Sequence, residues 1–357
     1  MNMNKLITFA AVAASAAIPM SANAEWSEET YTTTTNGVTW TYKVDTENGK
    51  ILLGTSTAST STPYMIDRAT AGILTIPITL NHEGTTYNVT DYGYGALSGC
   101  QSLTGVVFPE TTFAQIANGA ALFQSMSACK AIWWKGPETV DSGTQPVSKT
   151  GGNTQLFRYD NKLTAVVFGP NVTYGYLNQN TTYAFFRNTS CNVSFFIPKA
   201  RWTGATDAHI TNSTTTGTCK IIRYGRGEDI DVSIDGKFTV ATAERLDDVL
   251  SVANDLHDYC GMNPRIAVTN TIEFTDGLIT ENRMRFATFS SLMFSAKTQT
   301  QLDAILAAVP SSVPVSIDPT GLTENMVIPE TYNNVHVKTV PGVTIKRTTT
   351  GFMLIVK

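Results

Sequence analysis

The side chains able to do chemistry in this sequence are few and scattered. A protein metal site needs His, Cys, Asp or Glu ligands at short intervals, and the histidines His82, His209, His257 and His336 form no pair at that spacing. His257 and Cys260 lie three residues apart with Asp258 between them, a pattern that on a helix reads as an exposed imidazole and a buried thiol at the helix end. The run Glu228, Asp229, Asp231 and Asp235 before Gly236 could attract calcium, but its spacing is not that of a twelve-residue calcium loop; it reads as a solvated junction. There is no Gly-x-Ser-x-Gly elbow, phosphate-binding glycine loop or His-Glu-x-x-His. Gly93 and Gly95 have no helix directly after them and read as turn glycines. Carboxylates on distant stretches could converge as a glycoside-cleaving pair, yet nothing in the sequence selects one. The expectation is a chain with no catalytic residues, no metal and no cofactor.

The thiols are the most regularly spaced of the reactive groups. Cys100, Cys129, Cys191 and Cys219 follow one another at intervals of 29, 62 and 28 residues, and Asn161 stands where the long gap would be halved. Each opens a short apolar run closed by Pro or Gly, at Pro109, Pro137, Pro170, Pro198 and Gly225. A period of this size, with one small residue and one short strand per unit, marks a stacked solenoid. The spacing predicts that the four cysteines form a structural repeat core, turned inward in successive coils, where a thiol behaves as a small hydrophobe. A disulfide between neighbouring coils is the competing reading for five cysteines in an exported chain.

Aligning the units on their terminal Pro or Gly assigns the faces of the strands, because strand side chains alternate. Val106, Ile132, Val166, Phe195 and Ile222 form one inward column, and Phe108, Trp134, Phe168, Ile197 and Tyr224 another. The residues between them, Val107, Trp133, Val167, Phe196 and Arg223, then point outward. An outward column this apolar is expected either to bind a protein or sugar ligand or to be covered by the C-terminal part, an inserted loop or a second copy of the chain.

The first unit is the most complete. Leu74, Ile76, Pro77, Val89, Thr90, Ala96, Leu97, Gly99, Cys100, Leu103, Thr104, Val106, Phe108 and Pro109 match, position by position, the phrase of the BspA-type leucine-rich repeat. Leu122 to Cys129 and Ala184 to Cys191 keep its apolar-then-cysteine part. The resemblance covers about residues 74–225, in units longer than is usual for that family. It implies a bacterial leucine-rich-repeat solenoid, found in surface and secreted proteins that bind partners, and it carries no catalytic residues.

Around Arg226 the pattern changes. Residues 242–253 and 298–309 align without gaps, each beginning with a threonine suited to an N-cap and placing apolar residues on one helical face: Leu246, Val249, Leu250 and Ala253, or Leu302, Ile305, Leu306 and Val309. Thr298 and Gln301 also fit a capping box. A strand-like segment follows each, at 265–268 and 314–317, and 335–356 reads as two or three short strands. The stretch 240–268 is similar to the opening of pectate-lyase-type right-handed β-helices, although too little chain follows for a full one. At the other end, Gly37 to Val44 alternates, and Asn48-Gly49 signals a type I′ hairpin before residues 50–53.

The expected fold class is therefore mainly β with α, a BspA-like leucine-rich-repeat solenoid followed by a small α/β or α+β C-terminal domain. The expected segments are a signal peptide (1–24), an N-terminal β-rich module (25–73), the solenoid (74–235) and a C-terminal part with two helix–strand units (236–357). Lys5, the apolar run from Leu6 to Met20, and Ala22 and Ala24 have the order of a cleaved signal peptide, so the chain is expected outside the cytoplasm, secreted, on the cell surface or periplasmic, with no membrane insertion after cleavage. Only 15 % of the residues are charged and the net charge is −4 with no basic block, which argues against nucleic acid. The expected function is non-catalytic adhesion or ligand recognition, the partner being an unknown protein or glycan. A polysaccharide-active enzyme and a self-associating structural surface protein are the rivals.

Overall fold

The protein is described here from a computed structural model, over residues 26–55, 64–93, 95–111, 115–116, 122–137, 156–172, 185–203, 206–211, 215–273, 288–296, 298–309, 315–318, 326–329, 335–337 and 345–348. The expected signal peptide (1–24) and the apolar segment 352–356 lie outside these residues. The described chain is mainly β with few helices.

Alternating threonines and aromatics open the chain as strands β1 (Tyr31–Thr35) and β2 (Val38–Asp45), followed by β3 (Lys50–Leu53). Thr35 pairs with Val38 across a two-residue turn, with Asn36 at φ 53° and Gly37 at φ 77°. Two consecutive positive φ angles make this the type I′ hairpin. The expected one at Asn48-Gly49 is instead a four-residue loop between Asp45 and Lys50, in which the Asp45 carboxylate accepts from the Asn48 backbone N–H at 3.0 Å and its side-chain amide at 2.8 Å. Trp40, Tyr42 and Val44 alternate into the core with Ile51 and Leu53.

The next strands alternate between two sheets. β4 (Gly72–Thr75) begins a second sheet, while β5 (Thr79–His82), β6 (Thr85–Tyr92) and, after β7 (Leu103–Thr111), the short β8 (Gln115–Ile116) extend the first. The second sheet continues through β9 (Ala131–Pro137), β10 (Ala165–Phe168) and β11 (Val193–Pro198), then, past the one-turn helix α1 (Asp207–Ile210), through β12 (Cys219–Tyr224). Its order is β12-β11-β10-β9-β7-β4 and every pairing is parallel. Each new strand adds beside the last, so the sheet grows one coil at a time.

A second ladder runs along the turns that precede these strands. The N–H groups of Leu97, Phe123, Phe157 and Phe186 donate to the carbonyls of Leu122, Leu156, Phe185 and Ile210 at 2.9–3.2 Å. Two residues on, Gly99 donates to Gln124 and Ser125 to Arg158. Gly99, Ser125, Tyr159 and Asn188 thus share one place in successive turns, and all four are left-handed, at φ 72°, 62°, 64° and 51°. Only the first is glycine, the residue with no Cβ penalty there. Phe123, Phe157 and Phe186 stack with centroids 5.3 and 4.9 Å apart, and their rings meet Phe108, Phe195 and Trp134 from the strands in one core.

The turn ladder corrects the cysteine register. The residue after the left-handed position is Cys100, then Met126, Asp160 and Thr189, whereas Cys129 lies three residues beyond Met126 and Cys219 pairs with Val193 inside β12. The thiols do not stack on one another. Their even intervals arise because the units differ in length while each cysteine takes a different place in its coil. Cys100, Cys129 and Cys191 are buried, Cys219 half-buried, and all five cysteines are free thiols.

The remaining chain forms a third sheet. A hairpin of β13 (Ile230–Val232) and β14 (Lys237–Val240) is followed by helix α2 (Ala243–Cys260), β15 (Arg265–Val268), β16 (Ile272–Glu273), β17 (Thr288–Ser295), helix α3 (Gln299–Ala308) and β18 (Val315–Asp318). Beyond these, β19 (Met326–Pro329) pairs with β21 (Ile345–Thr348), while β20 (Val335–Val337) joins the main sheet, ordered β13-β14-β15-β17-β18-β20. Both helix starts are as the sequence predicts: the Thr242 and Thr298 hydroxyls accept from the N–H groups of Arg245 and Gln301. Gly261, at φ 64°, closes α2. The apolar faces of α2 and α3 join a core that also contains Ala131, Trp133, Val167 and Phe196.

Candidate functional site

The outward column is the first candidate surface, and strand pairing defines it. Val107, Trp133, Val167 and Phe196 pair in sequence across β7, β9, β10 and β11. Their neighbours Val106, Ile132, Val166 and Phe195 belong to the other core, so the two faces separate as the alternation requires. The last member differs: Phe196 pairs with Ile222, while Arg223 pairs with Ile197 on the opposite face. Aligning the final unit on Gly225 misplaces it by one residue, and a one-residue shift moves a whole strand to the other face. Arg223 pairs with Asp207 of α1 at 2.7 Å, and Ile221, not Ile222, continues the inward column.

This face is covered. Trp133, Val167 and Phe196 are fully buried, Ile222 nearly so, and Val107 half-buried. The cover is α2, an eighteen-residue helix of about 27 Å at its usual rise, laid across six strands that span about 24 Å at normal spacing. Its C-terminal end lies over β7, where the Cys260 thiol points to the Val106 carbonyl at 3.8 Å. Its N-terminal half reaches β12, where Asp248 pairs with Lys220 at 2.5 Å and with Arg245 at 3.2 Å. Phe238 of β14 meets Phe196 edge-on at 5.9 Å.

The seat for this helix is a second outward column, Gly105, Ala131, Ala165 and Ser194, paired in the same register. These small side chains let the helix backbone approach. A Cβ on Gly105 would lie 1.4 Å from the Tyr259 carbonyl oxygen. A column of small residues beside a column of large ones is the sequence signal for a helix seat. It stands two residues before each member of the ladder.

The scattered reactive groups stay scattered. His82 is buried, its Nδ1 3.1 Å from the Tyr42 hydroxyl among the rings of Tyr31 and Tyr87. His257 sits beside Asp258 at 3.3 Å, while Cys260 is buried in the shared core and burial pushes its thiol up to about 12. The side chains of His209 and His336 lie outside the described residues. In the acidic run, Glu228 pairs with Lys199 at 2.6 Å and Asp235 with Arg265. No three His, Cys, Asp or Glu side chains converge as a metal site among the described residues.

Asp160 is a carboxyl group with no motif to mark it in the sequence, and the core encloses it. It is 1 % exposed; one oxygen accepts from the Met126 N–H at 2.6 Å, and the other is buried with no hydrogen-bond partner. Burial holds its proton well above the usual carboxylate range, and its charge would raise the nearby Cys129 and Cys191 thiols further, beyond what burial does. A neutral carboxyl is what the enclosed site favours.

The turn side presents a different chemistry. Tyr159, in the left-handed row, is 39 % exposed. The Arg158 guanidinium lies 4.5 Å from its ring centroid and donates to the phenol oxygen at 2.7 Å, and the Asn188 side-chain amide donates to the same oxygen at 3.4 Å. Those hydrogen bonds, from Asn188 and then Arg158, lower the phenol's pKa, with the Arg158 and Arg187 charges acting in the same direction. The result is an aromatic ring fixed among cations on the face of the coils that α2 leaves uncovered.

No protein-family model and no curated protein matches the chain. Among solved structures, the chain is similar to a leucine-rich repeat protein from Bacteroides ovatus, at 12 % identity and a TM-score of 0.31 over 89 % of this chain and 79 % of that one. It is also similar to a leucine-rich cell surface protein from Faecalibacterium prausnitzii, at 10 % identity and a TM-score of 0.27 over 90 % and 96 % of the two chains.

Proposed function

We propose that the chain is an exported, non-catalytic recognition protein built on a leucine-rich-repeat solenoid of the BspA type, acting at the cell surface or outside the cell. The observation that carries this reading is the coil stack itself. Parallel strands added in chain order, with a second hydrogen-bonded ladder along the turns, set side chains at equivalent places in successive coils. Such an array presents an extended surface whose residues vary without disturbing the core. Recognition is placed on the turn side, because the apolar strand face is taken up by α2.

The test is an array of glycans and surface proteins probed with the full chain, alongside polysaccharides assayed for new reducing ends. Saturable binding with no cleavage supports the reading. Release of reducing ends transfers it to the polysaccharide-active class. Concentration-dependent assembly in light scattering with a blank array would favour a structural surface protein instead.

A further inference from the structure

On the turn side, four groups occupy neighbouring places in two successive coils. Tyr159 offers a ring whose hydroxyl is already engaged by Arg158 and Asn188. Arg158 donates to that oxygen through Nη2 and its Nε is buried, so what it offers a ligand is its remaining Nη hydrogens. Arg187, one coil on, stands at the place equivalent to Arg158, and its charge reaches the same phenol. None of the equivalent positions Ser98, Gly99, Gln124, Ser125, Arg158, Tyr159, Arg187 and Asn188 is acidic, although the whole chain is net negative. The ring is held in a conformation that an L-residue of this bulk adopts at a cost, and strain of this kind gathers where side chains must be aimed.

We propose that Arg158, Tyr159, Arg187 and Asn188 form a binding site for an acidic polysaccharide. One uronate ring lies on Tyr159, and the two guanidinium groups pair with its carboxylate. A fixed aromatic ring suits the flat C–H face of a pyranose, and paired guanidinium groups suit a planar carboxylate. A uronate carries both features in a single unit. An acidic peptide supplies the charge without the flat apolar face. This inference rests on the recognition reading above and assigns its ligand and its place.

The experiment measures binding of the full chain to oligogalacturonate, to neutral galactose oligomers and to poly-glutamate, in low and high salt. The expected result is salt-sensitive binding of oligogalacturonate, about tenfold tighter than the neutral oligomer or poly-glutamate. Tyr159→Gly removes the platform while suiting the left-handed backbone, so the fold is kept; it should weaken oligogalacturonate about tenfold, a loss of about 1.4 kcal/mol, with an undiminished melting temperature. Tyr159→Phe, which keeps the ring, should retain most of the affinity, and Arg158→Gln with Arg187→Gln should abolish the salt dependence. Unchanged affinity in Tyr159→Gly, tighter binding of poly-glutamate, or no binding of oligogalacturonate overturns the site. If an array ligand still binds these variants normally, the site fails and the recognition reading stands; cleavage of the oligomer fails the recognition reading itself.

Discussion

The strand side and the turn side of the coil stack use the same repeat and meet opposite fates. On the strand side, one column of large apolar residues and one of small ones receive α2, and the face becomes an internal interface. On the turn side, the inward residues are as apolar as any core, Leu97, Phe123, Phe157 and Phe186, but the pairs that follow the three phenylalanines, Gln124 and Ser125, Arg158 and Tyr159, Arg187 and Asn188, are polar, cationic or aromatic and partly or fully exposed. An apolar column on a solenoid is thus a cue to look for the cover, because a helix elsewhere in the chain can satisfy it. A fixed aromatic ring among cations is the better cue to a site, since no core packing accounts for it.

Four experiments break or sharpen this contrast. Trp133→Ala should have the largest effect, about 3–5 kcal/mol for a buried aromatic, whereas Ile73→Ala, at 44 % exposure, should stay within about 0.5 kcal/mol; urea unfolding of both variants reads the difference. Equal small losses would mean that α2 does not close the strand face. Gly105→Ala should cost about 3 kcal/mol, at the upper end of overpacking, because its Cβ meets backbone and not a yielding side chain. Trp133 fluorescence should shift to the red as the C-terminal end of α2 is displaced. A neutral result places the helix end elsewhere.

Asp160→Asn should stabilise the protein near neutral pH, because the enclosed carboxyl can ionise there only against the cost of burial. The sign follows from a folded-state value that burial raises above that of a free carboxylate. The stability contributed by the bound proton is full below the unfolded value and is lost as pH rises through the folded one. Wild type should therefore lose stability from about pH 4 upward relative to the variant, and the two should converge in acid. Parallel melting curves across that range would show that the carboxyl finds a partner when ionised. The smallest effect belongs to the left-handed row. Replacing Tyr159 or Ser125 with Gly should raise stability by roughly 1 kcal/mol each, and Asn188 by less, since asparagine tolerates this conformation. Loss of stability in all three would mean that their side chains, and not the backbone, hold the turns.

Much of the fold was legible. Apolar alternation in Val106 to Phe108 and its counterparts defines the strands and separates the two faces, and Thr242 and Thr298 mark both helix starts. The strand-face interface was half legible. The ladder itself stands out, but Arg223 was placed on it because register in the last coil depends on pairing with Phe196, which spacing from Gly225 does not carry. The equal intervals of the cysteines misled for a related reason. Units of unequal length bring Cys100, Met126, Asp160 and Thr189 together, and chemical likeness is no guide to which residues stack. The turn-side patch was not legible at all, since Tyr159 and Asn188 belong to different coils and meet only through the turn ladder.

Local chemistry by itself determined the strand-forming composition, the alternation of faces, the helix caps and the lack of a histidine pair at metal-ligand spacing, because each depends on residues within a few positions of one another. Tertiary structure alone decided what covers the apolar face, which residues share a column and which carboxyl is enclosed. Those depend on hydrogen bonds and packing between segments tens to more than a hundred residues apart, such as Cys260 against Val106, and the free energy of such contacts is written in no single stretch of sequence.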